Sequence, residues 1–149
     1  MTEAEERRLP SSVLMHAAYR AAEDHVFAAL AAAGFDDITR AQGRLLAGID
    51  EAGTRLLVLA GRARIAKQTA VVLVDRLEAN GYVERVRDPS DGRARLVRLT
   101  DRGMALLPHA RAAEEAVEEA WTTHLGRRDA ARLHELLMRL RALADPEAG

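Results

Sequence analysis

The apolar residues of this chain follow two different periods, and the change from one to the other divides the chain into elements. Between Pro10 and Gly34 they recur every three or four positions, which predicts one long helix over 11–33. The same period returns in three shorter segments, which predict helices at 39–50, 54–62 and 67–80. The first half of the chain is therefore expected to contain one long helix and three short ones.

Capping residues mark the ends of these short helices. Thr54 is a residue type that caps helix N-termini, and it is expected to begin the second of them. Asn80 and Gly81 tolerate the left-handed conformation that ends helices, so they are expected to end the third. Ala66 stands at the start of that third helix, where it has no hydroxyl group to act as a cap.

From Tyr82 onward the apolar period becomes two, which is typical of β-strands. Two such runs flank the turn-forming segment 88–92 (DPSDG), so a β-hairpin is expected. A helical period resumes after Thr100. This residue is placed to cap a long helix over 101–125, in which Pro108 makes a kink rather than an end.

A final amphipathic helix is expected at 128–144, after a break at Gly126, with five leucines on one face. The order of elements is then ααααββαα, a mainly α-helical fold with a small β-hairpin. The apolar faces of the long helices at the two ends exceed what the small module between them can cover. A second copy of the chain is the simplest partner for these faces, so a homodimer is expected.

Charge is unevenly distributed along the chain. The whole sequence has a net charge of −1, but residues 54–103 hold eleven lysines and arginines against six acids, a net +5 that leaves −6 elsewhere. A basic module within an acidic chain is typical of proteins that bind a polyanion such as nucleic acid. Chance clustering in an arginine-rich composition is the alternative.

Several classes of function are excluded by what the sequence lacks. It has no cysteine, which removes disulfides, thiolate metal sites and cysteine nucleophiles. The histidines do not have metal-ligand spacing, and no nucleophile elbow, phosphate loop or dinucleotide fingerprint is present. Neither a metal, nor a cofactor, nor an enzymatic activity is therefore expected. No signal peptide or membrane span is recognised, which predicts a cytoplasmic protein without a membrane partner.

The segment 67–103 joins a helix to a basic hairpin, an arrangement that can place one element in each groove of duplex DNA. Lys67, Gln68 and Thr69 lie in the first turn of the helix, where free N–H groups and the helix dipole favour a phosphate. Lys67 can also pair with a guanine edge, and Gln68 can make a bidentate contact to adenine. Double-stranded DNA is therefore the expected partner.

The hairpin and the middle of the helix carry further candidate contacts. Arg93 lies beside the turn and can enter a minor groove, and Arg95 shares its strand face and can hold the backbone. Asp91 is expected to set the turn or orient Arg93 rather than meet DNA, because phosphate would repel it. Arg76 is a further candidate, with a solvated or ion-paired side chain as the alternative. Arg85, Arg87 and Arg98 are candidates for contact with phosphate, with polar strand faces as the alternative.

Together these motifs resemble the MarR family of bacterial transcriptional regulators. The matching segments are KQT at 67–69, LVDRLEANGYVER at 73–85, DPSDGRA at 88–94 and LVRLTDRG at 96–103. The resemblance implies a winged helix-turn-helix homodimer with terminal dimerisation helices. It implies that the third short helix enters the major groove, and that the hairpin, or wing, reaches the minor groove or the backbone.

The resemblance also implies a domain organisation and a mode of regulation. It implies a single domain over 1–149, with a DNA-binding lobe at 39–100 and a dimerisation lobe made of 11–33 and 101–145. A family member of this kind is a transcriptional repressor that binds a pseudo-palindromic operator and is released by a small aromatic or anionic effector. His16, Tyr19 and Arg20 on the first helix are candidate effector contacts, with a solvated polar face as the alternative.

The surface expected to read the DNA bases, on the second and third short helices, is called the reading surface below. It departs from the family pattern at several positions. Leu57, Val58, Val71 and Val72 are apolar where polar side chains usually face the DNA, and Arg64 replaces a turn glycine. Valines can contact thymine methyl groups, so an altered operator preference is one interpretation. The other is that these residues bury against something else. The chain would then be a winged-helix protein-interaction module with weakened sequence-specific DNA binding.

Overall fold

The computed structural model describes residue 2 and residues 8–144, and in that part of the chain it contains six helices and three strands. The helices are α1 (Ser11–Ala32), α2 (Arg40–Leu46), α3 (Leu56–Arg62), α4 (Lys67–Ala79), α5 (Asp101–Leu125) and α6 (Arg127–Ala144). The strands are β1 (Thr54–Arg55), β2 (Val83–Asp88) and β3 (Asp91–Leu99). The mainly α-helical fold with a small β-hairpin is confirmed.

The chain divides into two compact units, and the division falls inside α5 between Arg111 and Ala112. In the first unit, apolar side chains of α2, α3, α4 and the sheet form one core, in which Leu59, Leu77 and Tyr82 have no exposed surface. In the second unit, α6 buries none of its residues. The two lobes expected from the sequence, 39–100 and 11–33 with 101–145, do not coincide with these two units. They stay a prediction.

Most of the expected helix ends are confirmed, because they depend on local backbone conformation. Gly34, Gly81 and Gly126 all have positive φ angles, of 95°, 80° and 83°, and each follows the end of a helix. The Thr100 hydroxyl oxygen accepts a hydrogen bond from the Gly103 N–H at 3.2 Å, so Thr100 caps α5 as expected. Within the described residues, no helix is both long and apolar enough to cross a bilayer.

The prediction at residues 54–55 was wrong. Thr54 does not cap a helix, because its backbone pairs with Val97 in β3 and its hydroxyl group bonds to Asp50. Arg55 pairs with Leu96, and the helix begins only at Leu56. The hairpin therefore belongs to a three-stranded antiparallel sheet in the order β1–β3–β2.

Helix α2 is shorter than the predicted span of 39–50, since it ends at Leu46. The N–H groups of Gly48 and Ile49 bond back to the carbonyl groups three residues earlier, at 3.1 Å each, which tightens and ends the helix. The Gly48 carbonyl then accepts a hydrogen bond from Arg62 at 2.6 Å. This contact ties the chain after α2 to the end of α3.

Candidate nucleic-acid interface

Helix α4 packs one face on the core and presents the other to solvent. The buried face is formed by Ala70, Val74 and Leu77. Lys67, Gln68 and Thr69 are exposed in the first turn, and Ala66 at the N-cap makes no side-chain hydrogen bond. Since the first-turn N–H groups have no acceptor among the described residues, they are available to a phosphate.

The apolar residues that depart from the family pattern at the reading surface are mostly exposed to solvent. Val72 follows Gln68 by one turn on the exposed face of α4, and 55% of its surface is accessible. Leu57 and Val58 on α3 are 66% and 44% exposed. Val71 differs from them, because it is half-buried.

The wing, formed by β2, β3 and the turn between them, is fastened to β1 through Asp88. One carboxylate oxygen of Asp88 accepts hydrogen bonds from Arg55 Nε at 2.9 Å and Nη2 at 2.7 Å. The other accepts from the Ser90 N–H at 2.9 Å and the Ser90 hydroxyl at 2.7 Å. The contacts from Ser90, followed by those from Arg55, lower the pKa of Asp88 from 3.8 to about 2.

The lowered pKa of Asp88 predicts how the stability of the protein changes at acid pH. A group whose pKa falls on folding stabilises the protein above its unfolded pKa, and that contribution disappears as the pH falls towards the folded pKa. We expect the free energy of unfolding to decrease between about pH 4 and pH 2, and to decrease less steeply in the Asp88→Asn variant. Denaturant titrations at several pH values measure this. Identical slopes in the two proteins would contradict the assigned role of Asp88.

The turn of the wing is shaped by Asp91 and carries exposed arginines. Asp91 Oδ1 accepts a hydrogen bond from the Arg93 backbone N–H at 3.1 Å, while its other oxygen lies 3.9 Å from Arg55. The side chains of Arg93 and Arg95 are exposed. Nearer the base of the sheet, Val97 lies on the same face of β3 as Arg95 and is buried in the core. The two arginines therefore lie where the hairpin extends beyond the core.

Ion pairs separate ten of the eleven basic residues of 54–103 into two groups within the described structure. Carboxylates of the chain hold five arginines: Arg55, Arg62, Arg85, Arg98 and Arg102. Five other basic side chains have no ion pair or hydrogen bond to a described residue: Lys67, Arg76, Arg87, Arg93 and Arg95. The second group includes every lysine and arginine that the sequence assigned to DNA, and it remains available for an external anion.

The structure decides between the alternatives for two of the wing arginines. Arg85 lies 2.6 Å from Asp75 and also pairs with Glu78, and Arg98 lies 2.6 Å from Glu84. Both are therefore structural strand residues in this chain, as one interpretation of the sequence held. Their charges are neutralised where they stand, and they contribute little to a net positive surface.

For Arg87 the sequence leaves a phosphate contact and a polar strand face open as alternatives. It pairs directly across the sheet with Arg95, so the two guanidinium groups share one face of the wing. Like charges placed opposite each other destabilise a sheet unless a counter-charge is supplied. A register shift between Arg87 and Asp88 brings them opposite each other, since it passes over the residues between Asp91 and Arg95. Counting back from the Asp88–Asp91 pair would place Arg87 opposite Gly92, so the sequence alone does not reveal this pairing.

The candidate effector residues lie on α1. His16, Tyr19 and Arg20 are all exposed, and the Tyr19 hydroxyl donates a hydrogen bond to Glu23 at 3.1 Å. Glu23 also accepts hydrogen bonds from Arg40 and Arg44 of α2. Tyr19 therefore belongs to a polar network that joins α1 to α2, whereas His16 and Arg20 do not. Their assignment to an effector stays a prediction.

Residues 36–94, which include α2, α3, α4 and most of the wing, match the model of the MarR family. Comparison of the sequence with curated proteins gives no match. Among solved structures, the chain is similar to wild-type MarR from E. coli in its apo form. The two are 26% identical with a TM-score of 0.71, over 89% of this chain and 97% of that one.

Two further similar structures contain DNA. One is a mutant of E. coli MarR complexed with operator DNA, which is 25% identical with a TM-score of 0.71, over 93% of this chain and 99% of that one. The other is the transcriptional repressor CouR bound to a 23-mer DNA duplex. It is 28% identical with a TM-score of 0.72, over 94% of this chain and 97% of that one. The resemblance inferred from the sequence is confirmed.

Proposed function

We propose that the chain is a MarR-family winged-helix transcriptional regulator, and that it acts by binding double-stranded DNA as a homodimer. The observation that carries the proposal is the set of five basic side chains without a partner among the described residues, shared between α4 and the wing. Multiple cations along one surface are what a phosphate backbone requires. No catalytic activity is part of the proposal.

Helix α4 and the wing contact different parts of the DNA because their shapes differ. Helix α4 enters the major groove with Lys67, Gln68 and Thr69 at its leading end, where the uncapped N–H groups meet a phosphate. Val72 and Arg76 continue the same exposed face along the groove. Arg93 on the wing enters the adjacent minor groove and Arg95 holds the DNA backbone, with Asp91 setting the turn.

Apolar surface that is not covered supports the homodimer. In α1, Val13, Leu14 and Met15 are between 38% and 49% exposed. In α6, the leucine face is also exposed, and Leu143 reaches 80%. An isolated helix of this length gains most of its stability from packing an apolar face, so these helices require a partner. A second copy offers matching faces and gives the two-fold symmetry that a pseudo-palindromic operator requires.

Repression and its release by a small effector complete the proposal. The network of Tyr19, Glu23, Arg40 and Arg44 supports it, because it joins α1 to α2, which packs against α4. An aromatic carboxylate that competes with Glu23 for the arginines would alter this link. His16 and Arg20 lie on the same helix and are the further candidates for contact with such an anion.

The proposed function is tested by the purified protein and the DNA upstream of its own gene. We expect a dimer by sedimentation equilibrium and retardation of that duplex in a low-salt gel, with one dimer bound per site. Release of the DNA by one of a panel of aromatic carboxylates would support effector control.

A rival function has a specific observation in its favour. Leu57, Val58 and Val72 give the reading surface an exposed apolar character that suits a protein partner. A folded dimer that fails to retard any duplex at low salt would favour this protein-interaction module and contradict the proposed function.

A further inference from the structure

Val72 occupies the centre of the exposed face of α4. It lies four residues after Gln68 and four before Arg76, and this interval places all three side chains along one line of a helix. The core face lies on the opposite side, where Ala70 and Leu77 have no exposed surface. With 55% of its own surface exposed, Val72 contributes little to the packing of the fold.

An aliphatic side chain in the middle of this line has few possible contacts in a DNA groove. Base edges in the major groove present hydrogen-bond donors and acceptors, and the one apolar group among them is the C5 methyl of thymine. Lys67 and Arg76, which lie on the same helix without an ion pair to a described residue, favour an anionic partner around the valine. This charge complementarity favours DNA over an apolar protein surface as the occupant.

We infer that Val72 is a specificity-determining residue that recognises the C5 methyl group of a thymine in each operator half-site. The inference rests on the proposed function, because it requires α4 to lie in the major groove. Four helical residues rise about 6 Å, and successive base pairs are about 3.4 Å apart. The thymine recognised by Val72 therefore lies about two base pairs from the base that Gln68 contacts.

The experiment removes the methyl group without changing any hydrogen bond. A duplex enriched from a randomised library by the wild-type protein serves as the probe, and each thymine is replaced in turn by deoxyuridine. At one thymine in each half-site we expect the wild-type affinity to fall about fourfold, which corresponds to the burial of one methyl group. The Val72→Ala variant is expected to bind the thymine and uracil duplexes equally at that position.

Val58→Ala is the matched control, since it makes the same truncation at an exposed valine on α3. We expect this variant to keep the wild-type sensitivity at the thymine assigned to Val72. A wild-type protein that is insensitive to every thymine replacement would overturn the inference, and so would a Val72→Ala variant with undiminished sensitivity. In both cases the enriched duplex would still support the proposed function. A folded protein that enriches no duplex at low salt would overturn both.

Discussion

Replacement of Gly103 with alanine is expected to lower the free energy of unfolding by at least about 2 kcal/mol. Gly103 lies in the first turn of α5, and a Cβ atom there would overlap the backbone carbonyl oxygen of Tyr82. That oxygen already accepts a hydrogen bond from the Thr100 N–H at 3.0 Å, so it has little freedom to move. The overlap is with backbone rather than with a flexible side chain, and the helix must move instead.

The position of Tyr82 increases the cost of such a movement. Its ring is fully buried, its hydroxyl bonds to Asp37, and the Arg102 guanidinium lies 4.2 Å from the ring centre. Burial, followed by the Asp37 hydrogen bond, raises the pKa of Tyr82 to about 12. The start of α5 therefore cannot move away without disturbing this cluster.

Gly61→Ala provides the matched control, because it also adds a methyl group to a helical glycine. A Cβ atom at Gly61 meets nothing within 4 Å, so we expect the free energy of unfolding to stay the same or to rise by up to about 1 kcal/mol. Urea denaturation of the three proteins measures the difference. Equal stabilities of Gly103→Ala and the wild type would show that the contact between α5 and Tyr82 is not close in solution.

The second large effect is expected on DNA affinity. Arg93→Ala should weaken binding by about 1–3 kcal/mol, roughly five- to 150-fold, by removing a guanidinium from the tip of the wing. Arg93 is exposed and its side chain has no ion pair with a described residue. The loss of DNA affinity is therefore not offset by the release of a carboxylate within the protein. Fluorescence anisotropy with a labelled duplex at one fixed salt concentration gives the ratio of affinities.

Arg98→Ala separates a direct contact from the general effect of charge. It removes the same formal charge from the same strand, but Arg98 is held by Glu84 at 2.6 Å. We expect its affinity for DNA to change by less than about threefold, since a paired surface charge contributes little. If the two variants lost equal affinity, the wing would act only through its net charge, and the assignment of Arg93 to a groove would be wrong.

Local features of the sequence were sufficient to predict most of the helices and strands. Gly81 and Gly126 end helices because their conformation is open mainly to glycine, and Thr100 caps α5 with a side chain three residues from its target. Signals of this kind require no knowledge of the rest of the chain. The family motifs around them placed the wing and α4 correctly for the same reason.

Contacts between distant segments could not be predicted in the same way. Thr54 looks like a helix cap, and only its pairing with Val97 reveals a strand. The sequence likewise gives no indication of which wing arginines are neutralised, because the pairing of Arg85 with Asp75 depends on how the sheet packs beside α4. The position of Arg87 opposite Arg95 could not be predicted either, because it depends on a register shift in the hairpin.

The most direct test of the proposed DNA-binding function is the affinity of the wild-type protein for an enriched duplex as the salt concentration rises from 50 to 200 mM. The logarithm of the binding constant should fall linearly with the logarithm of salt, with a slope of up to about −9 if ten cations of a dimer release counterions. The Arg93→Ala variant should give a slope smaller by about one for each phosphate contact that it loses. A folded dimer whose binding is absent or independent of salt would contradict the account.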